Sequence, residues 1–223
     1  AGGCLLGQVI GDSLGSQVEF KKAAAIAQLF PQGLRELADG GVYHTLAGQP
    51  TDDSEMALAL ARSLVERKAY DREHVLAAYR VWLQTRPVDV GMTPERGLLG
   101  LHTTGSESNG SLMRISPAGI WAAGDPARAA AAAREDSALT HPSANCVEAC
   151  AGYAAAPATH RSGRDREPAI VVTRLVGIVA EREAGQRRCL HDVPIVIRAA
   201  LVPGNRVGQP AIGREAGAPH GVA

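Results

Sequence analysis

The sequence has few aromatic residues and no excess of charge of either sign. Phe, Trp and Tyr together make up 4% of its 223 residues, and 23 Lys and Arg balance 23 Asp and Glu. A chain without a basic excess lacks the electrostatic attraction with which proteins commonly bind nucleic acids or anionic membranes. We therefore expect neither nucleic acid nor a membrane among its partners.

Long apolar runs and paired cysteines are also missing. The sequence has no run of 18 apolar residues and no signal-peptide pattern, which favours a cytoplasmic protein. It starts without Met inside an apolar pattern, so we interpret it as a fragment or a processed product. The four cysteines, at positions 4, 146, 150 and 189, form no CxxC pair, which argues against a zinc site. Cys146 and Cys150 are four residues apart and are expected to share one buried helix face.

The apolar residues recur mostly at helical spacing. The pattern predicts helices over about 53–66, 71–84, 125–139 and 142–156, a further helix with Thr93 as N-cap and Pro94 at its first position, and a loop over 31–50. No alternating strand pattern is convincing before residue 169. The sequence therefore predicts an all-α domain.

The first helical segment carries glycine every fourth residue, at Gly3, Gly7, Gly11 and Gly15. Because glycine costs about 1 kcal/mol relative to alanine in a helix, four on one face predict the close approach of another backbone. A membrane-spanning helix is excluded by the polar residues of the same segment, Gln8 and Asp12 among them.

The segment "TDDSEM" places Thr51, Asp52 and Asp53 where a helix begins. One interpretation is structural: Asp52 caps the helix and Glu55 completes a capping box. The other is a metal site, because two carboxylates beside a hydroxyl supply the hard oxygen ligands that Mg²⁺ or Mn²⁺ prefers. The segment alone leaves both interpretations open.

Three further polar groups lie along the chain. Asp12 and Glu19 follow the glycine stripe, "SNGSLMR" (108–114) lies at a loop-to-helix junction whose free N–H groups can bind phosphate, and His141 precedes a proline. Taken singly, each group has a bland interpretation as a solvated acid, a turn or a satisfied histidine.

Taken together and in order, these motifs resemble the ADP-ribosylglycohydrolase family of the dinitrogenase-reductase-activating type. The family pattern G-x-x-x-G-D-x-x-G-x-x-x-E is matched by "GQVIGDSLGSQVE" (7–19), T-D-D-[ST]-x-M by "TDDSEM" (51–56), G/S-N-G-[SA]-x-M-R by "SNGSLMR", and a T-H motif by Thr140 and His141. The resemblance covers residues 2–156.

The resemblance implies a compact, orthogonal all-α bundle around a two-metal site, usually Mg²⁺ or Mn²⁺. It implies hydrolysis of the N- or O-glycosidic bond between ADP-ribose and a modified side chain, with an ADP-ribosylated protein or an ADP-ribose-containing small molecule as partner. By resemblance, Thr51, Asp52 and Asp53 are metal ligands, and Glu19 and Asp53 are catalytic. The implied substrate-binding residues are Asn109, Gly110, Ser111, Met113, Arg114 and His141.

The sequence departs from the family after about residue 156. The family's late G-G-D-T-D motif, which completes the metal pair, is absent. We therefore predict a family-like helical domain over 1–156 and a divergent or truncated part over 157–223, with an end typical of a poorly ordered tail. The alternatives to an active hydrolase are a catalytically inactive relative that binds ADP-ribose or is structural, and a helical domain whose acids are only caps.

Overall fold

The computed structural model describes residues 2–101 and 105–159. These residues form eight α-helices and one short 3₁₀ turn over Asn109–Ser111, and their only β-type pairing is an isolated bridge between Gly40 and Thr45. The all-α prediction is confirmed. The helices are α1 (Gly2–Gly15), α2 (Ala23–Leu29), α3 (Asp52–Arg67), α4 (Arg72–Gln84), α5 (Met92–Leu98), α6 (Ser116–Trp121), α7 (Pro126–Ser137) and α8 (Ala144–Ala158).

Alanine-rich packing of α6, α7 and α8 builds one half of the core. Ala129 and Ala133 of α7 and Ala154 of α8 are fully buried. Small side chains let helix axes come close, and Gly119 of α6 lies where α6 approaches α8. A Cβ atom at Gly119 would lie 2.6 Å from the Ala154 carbonyl oxygen and 2.7 Å from Cγ of Pro157. The other half of the core lies between α3 and α4, where apolar residues recur at helical spacing on both helices.

Helix boundaries follow the predicted signals in part. Asp125 caps α7 as expected, accepting the Arg128 N–H at 2.9 Å, and α8 begins at Ala144, two residues after Pro142. The prediction for α5 is wrong: Gly91 is the N-cap, and the Thr93 hydroxyl instead bonds to Ser106 at 2.8 Å. Pro94 is still in the first turn, where a missing N–H leaves no intrahelical bond unmade.

The glycine stripe of α1 does not meet another backbone within the described part of the chain. A Cβ atom added at Gly3, Gly7, Gly11 or Gly15 would find nothing within 4 Å. The helix instead packs through the face that carries Ser13 and Leu14, and through polar contacts from Gln8 and Asp12. The expectation of close approach is thus wrong for these residues.

Two other expectations concern membranes and the C-terminal part. No described helix is both long and apolar enough to cross a membrane. Cys146 and Cys150 are buried on α8, as their spacing predicted. The part predicted to diverge, 157–223, lies outside the described residues after position 159.

Candidate active site

The N-terminus of α3 is capped from another helix. The Asp12 carboxylate of α1 accepts the Thr51 hydroxyl at 2.7 Å, the Thr51 N–H at 3.0 Å and the Ser54 N–H at 3.1 Å. Thr51 is the N-cap residue, yet its side chain makes no capping bond. Asp12 therefore performs the function that N-cap side chains usually perform, which is to satisfy the unpaired N–H groups of the first turn.

This arrangement rules out the predicted capping box. Glu55 does not return to the helix start; its Oε2 accepts the indole N–H of Trp82 on α4 at 2.7 Å. Asp12 already bonds the Thr51 and Ser54 N–H groups, so neither Asp52 nor Asp53 is needed to cap Ser54. The two carboxylates are thus available for another role.

Asp52 and Asp53 lie in a strongly acidic environment. Burial, together with the nearby Asp53 and Asp89 carboxylates, raises the pKa of Asp52 to about 8, although the Gly91 N–H opposes the shift. Burial, Asp12 and Asp89 raise the pKa of Asp53 to about 7. The strongest influences on both groups include no positively charged side chain. Like charges brought together in this way favour a protonated acid or a bound cation.

Glu19 belongs to the same acidic region. Burial, and then the charges of Asp89 and Asp12, raise its pKa. We call the group Asp12, Glu19, Asp52, Asp53 and Asp89 the acidic cluster. It is built from the end of α1, the turn after it, the first turn of α3 and the loop before α5.

The sequence analysis missed Asp89 and its partner Tyr43. Tyr43 lies beside Asp89, and burial, followed by the interaction with Asp89 and the charges of Glu19 and Asp52, raises the pKa of Tyr43. Asp89 is a single acid between two valines before Gly91, in no recognised motif. Only a fold that brings the loop before α5 beside α3 reveals that it joins the other acids.

The acidic cluster fits a hard divalent cation in the type of its ligands. Carboxylate and hydroxyl oxygens are what Mg²⁺ and Mn²⁺ prefer, and mutual repulsion among the acids would be relieved by a cation. The number of convergent ligands is smaller than a closed site needs. Across residues 2–101 and 105–159, no three His, Cys, Asp or Glu side chains converge closely enough to hold a metal ion.

Gln8 joins the acidic cluster to the segment 108–114. Its amide N–H₂ donates to the carbonyl of Asp53 at 3.1 Å and to the carbonyl of Met113 at 2.9 Å, while its Oε1 accepts the Ser116 hydroxyl. Two motifs that are 60 residues apart in the sequence are therefore neighbours across α1. The sequence carried no signal for this role of Gln8 beyond its place inside the first motif.

The predicted substrate-binding residues divide into a surface set and a buried set. Asn109 is exposed and Met113 is partly exposed, whereas Gly110 and Ser111 are buried in the 3₁₀ turn. A Cβ atom at Gly110 would lie 2.9 Å from Cε1 of His141 and would also collide with Pro94. Only glycine therefore fits at this position.

Arg114 and His141 are the deepest residues of the predicted set, both 0% exposed. The Arg114 guanidinium donates to the Asp136 carboxylate at 2.8 Å and to the Thr140 hydroxyl at 3.0 Å. The His141 ring bonds to Ser108 at 2.9 Å and to Thr140 at 2.8 Å, and burial plus the Arg114 charge lower its pKa to about 3. Both side chains are buried, and they contact the segment 108–114 from the protein interior through Ser108 and Gly110.

The family model for ADP-ribosylglycohydrolase matches residues 1–216. The match extends beyond residue 156, and the domain boundary at that position stays a prediction. A solved structure titled ADP-ribosylglycohydrolase-related protein complex superposes with a TM-score of 0.62 at 26% identity, over 79% of this chain and 60% of that chain.

Curated relatives match by sequence. An ADP-ribosyl-dinitrogen reductase glycohydrolase of Rhodospirillum rubrum is 38% identical over 135 residues, which are 56% of this chain and 45% of the relative. An ADP-ribosylarginine hydrolase, Tri1, of Pseudomonas putida is 27% identical over 184 residues, 75% of this chain and 48% of the relative. The chain spans about half the length of these relatives. With the family match over most of its length and the helical fold in agreement, the chain belongs to the ADP-ribosylglycohydrolase family.

Proposed function

We propose that this protein hydrolyses the glycosidic bond between ADP-ribose and a modified protein side chain. The observation that carries the proposal is the acidic cluster, in which Glu19, Asp52 and Asp53 occupy the positions of family motifs and lie close enough to other acids that their pKa values are raised. The names of the two relatives, one acting on ADP-ribosylarginine, support arginine as the first linkage to test. A cytoplasmic location, expected from the sequence, stays a prediction.

We assign the chemistry to the chain's own residues as follows. An oxygen atom of water bonds to the anomeric carbon of ribose, the bond from that carbon to the side-chain nitrogen or oxygen breaks, and the water proton passes to the departing atom. Glu19 accepts the water proton at a carboxylate oxygen and returns it to the departing atom, and the negative charge of the cluster stabilises the positive charge that develops on the ribose. Asn109, exposed at the edge of the 3₁₀ turn, supplies an amide for the substrate.

A divalent cation fits this reaction. Mg²⁺ or Mn²⁺, held by Thr51, Asp52 and Asp53, would supply positive charge that acidifies water and orients ribose hydroxyls. Gln8 and Asp12 maintain the backbone on which these ligands lie. The requirement for a cation is part of the proposal.

The test is the release of ADP-ribose from an ADP-ribosylarginine peptide, measured by mass spectrometry with and without Mn²⁺. We expect release by the wild-type chain and a loss of at least 100-fold in Glu19→Gln. The matched control is Glu148→Gln, an exposed acid on α8 that pairs only with Arg134 in the described contacts. Equal rates in Glu19→Gln and Glu148→Gln would contradict the assigned role of Glu19.

A second candidate function is binding of ADP-ribose without hydrolysis. It is favoured by the sequence, in which the late G-G-D-T-D motif that completes the family's metal pair is absent. Calorimetric titration of ADP-ribose into the protein, with and without Mn²⁺, separates the two. Binding without any release of ADP-ribose from the peptide supports the second function, and turnover excludes it.

A further inference from the structure

We infer that Asp12 is a positioning residue for the candidate cation ligands, acting through Thr51 and the first turn of α3. The inference rests on the proposed function, because it concerns the same site. It assigns to Asp12 a role that differs from that of a ligand: it fixes the orientation of residues that bind the ion.

The bonds of Asp12 show how this positioning is achieved. One carboxylate oxygen takes the Thr51 hydroxyl at 2.7 Å, and the other takes the N–H groups of Thr51 at 3.0 Å and Ser54 at 3.1 Å. Thr51 is the N-cap and Ser54 is the third residue of the helix, so the three bonds enclose the turn that carries Asp52 and Asp53. A turn held at both ends has fewer conformations to lose when its side chains bind an ion.

The Thr51 hydroxyl is the atom most affected. A hydroxyl has one proton and two lone pairs, and this proton is committed to Asp12 at 2.7 Å. The lone pairs are thereby directed away from Asp12, and donation to a carboxylate makes the oxygen more electron-rich. Both effects improve the hydroxyl as a ligand for a hard cation, which is the relation of an outer residue to a metal ligand in many metal sites.

An ordinary helix cap is the competing explanation, and the chain offers a matched control for it. Asp125 accepts the Arg128 N–H at 2.9 Å at the start of α7 and caps its own helix. If Asp12 were no more than a cap, substituting it would leave the cation affinity unchanged, as substituting Asp125 should. If Asp12 positions Thr51, substituting Asp12 lowers the cation affinity and substituting Asp125 does not.

Charge alone could also link Asp12 to a bound cation, and a double-mutant cycle distinguishes this effect from positioning. Asp12→Asn removes the charge and keeps the shape, while Thr51→Val keeps the shape and removes the hydroxyl. When two residues act through one contact, the effect of the first substitution shrinks in the presence of the second; when they act independently, the effects add.

The experiment measures Mn²⁺ affinity from the electron paramagnetic resonance signal of free Mn²⁺. It uses the wild-type chain, Asp12→Asn, Thr51→Val, the double variant and Asp125→Ala, with circular dichroism as the check on folding. We expect Asp12→Asn to weaken binding at least tenfold, the same substitution to weaken it less than threefold in the Thr51→Val background, and Asp125→Ala to leave affinity unchanged. Faster exchange of the Ser54 amide proton in Asp12→Asn, measured without metal, is the accompanying structural result.

Three outcomes would overturn the inference. Equal Mn²⁺ affinity in the wild-type chain and Asp12→Asn removes the positioning role and leaves the proposed function intact. Fully additive effects of Asp12→Asn and Thr51→Val assign the effect of Asp12 to its charge and exclude action through Thr51. A wild-type chain that binds no Mn²⁺ contradicts the cation in the proposed function and the inference together.

Discussion

Arg114 and Asp136 form an ion pair of 2.8 Å in which both side chains are completely closed to solvent. The Tyr79 hydroxyl donates to the other Asp136 oxygen at 2.9 Å, and the Tyr79 ring lies 4.7 Å from the guanidinium carbon. Because Arg114 is the last residue of the segment 108–114 and Asp136 lies on α7, the ion pair joins that segment to α7. The Tyr79 hydroxyl joins both to α4. A buried pair of this kind is costly to break, because the partner that stays behind is an unpaired charge in an apolar environment.

Arg114→Met should therefore destabilise the protein by about 3–5 kcal/mol, since Asp136 would be left buried without its cation. Urea denaturation followed by circular dichroism measures the loss. The matched comparison is Arg134→Met, which breaks an exposed pair with Glu148 and should cost less than about 1 kcal/mol. Similar losses in the two variants would show that Arg114 is not a structural cation.

Asp53→Asn should stabilise the metal-free protein at pH 8. The pKa of folded Asp53 is raised to about 7, whereas an unfolded aspartate titrates near 3.8, so stability from this group falls as the pH rises from about 4 to about 7. Above pH 7 the substitution should raise the free energy of unfolding by about 2–4 kcal/mol, and at pH 4 it should change that free energy little. The gain is read from thermal or urea unfolding with chelator present.

The control for Asp53→Asn is Asp71→Asn. Asp71 caps α4 by accepting the His74 N–H at 3.1 Å, and this bond lowers the pKa of Asp71. Its replacement should reduce stability at pH 8. A loss of stability in Asp53→Asn as well would restore the interpretation of Asp53 as an ordinary helix-start residue.

The His141→Gln variant should change the pH dependence of stability in the acid range. The pKa of His141 is lowered to about 3 from its ordinary 6.5. Between these two values His141 stays neutral in the folded protein but is protonated in the unfolded chain. As the pH falls from 7 to 5, protonation of this residue in the unfolded chain should lower the free energy of unfolding of the wild-type protein by about 2 kcal/mol. Because glutamine does not titrate, the stability difference between wild type and variant should shrink by that amount over the same interval. A constant difference would mean that His141 titrates normally in the folded protein.

Two glycine substitutions should act in opposite directions. Gly119→Ala places a methyl group 2.6 Å from the Ala154 carbonyl oxygen and should destabilise by about 1–3 kcal/mol. Gly7→Ala meets nothing within 4 Å on an exposed helix face and should stabilise by up to about 1 kcal/mol through helix propensity. Thermal unfolding of both variants checks the pair. Destabilisation by Gly7→Ala would indicate that the glycine stripe of α1 is covered in the whole chain.

The sequence predicted the type of fold and most helices because these depend on local signals. Apolar spacing located α3 and α4, and Asp125 before Pro126 marked the start of α7. Predictions of helix caps were wrong where the side chain has another partner in the fold. Thr93 was predicted to be an N-cap but bonds to Ser106, and Glu55 was predicted to complete a capping box but bonds to Trp82.

The site was predictable only where motifs carry it. Asp52 and Asp53 were identified from their motif, but Asp89 joins them through the fold, and no local pattern marks it. A motif also does not distinguish a residue that lines a cleft from one that supports it. Arg114 and Asn109 belong to the same segment, yet one is fully buried and the other is exposed.

The bond between Asp12 and Ser54 crosses 42 positions of the chain. Its consequence concerns folding order: a peptide of α3 alone would begin with unsatisfied N–H groups and fray at the end that bears the two acids. The acidic turn can therefore reach its native form only after α1 docks, so local unfolding of α1 would dismantle the site while the distant α7–α8 pair persists. A protease cut in the loop over 31–50 would place the cap and its helix on separate fragments, and binding at the site would then report whether the fragments remain associated.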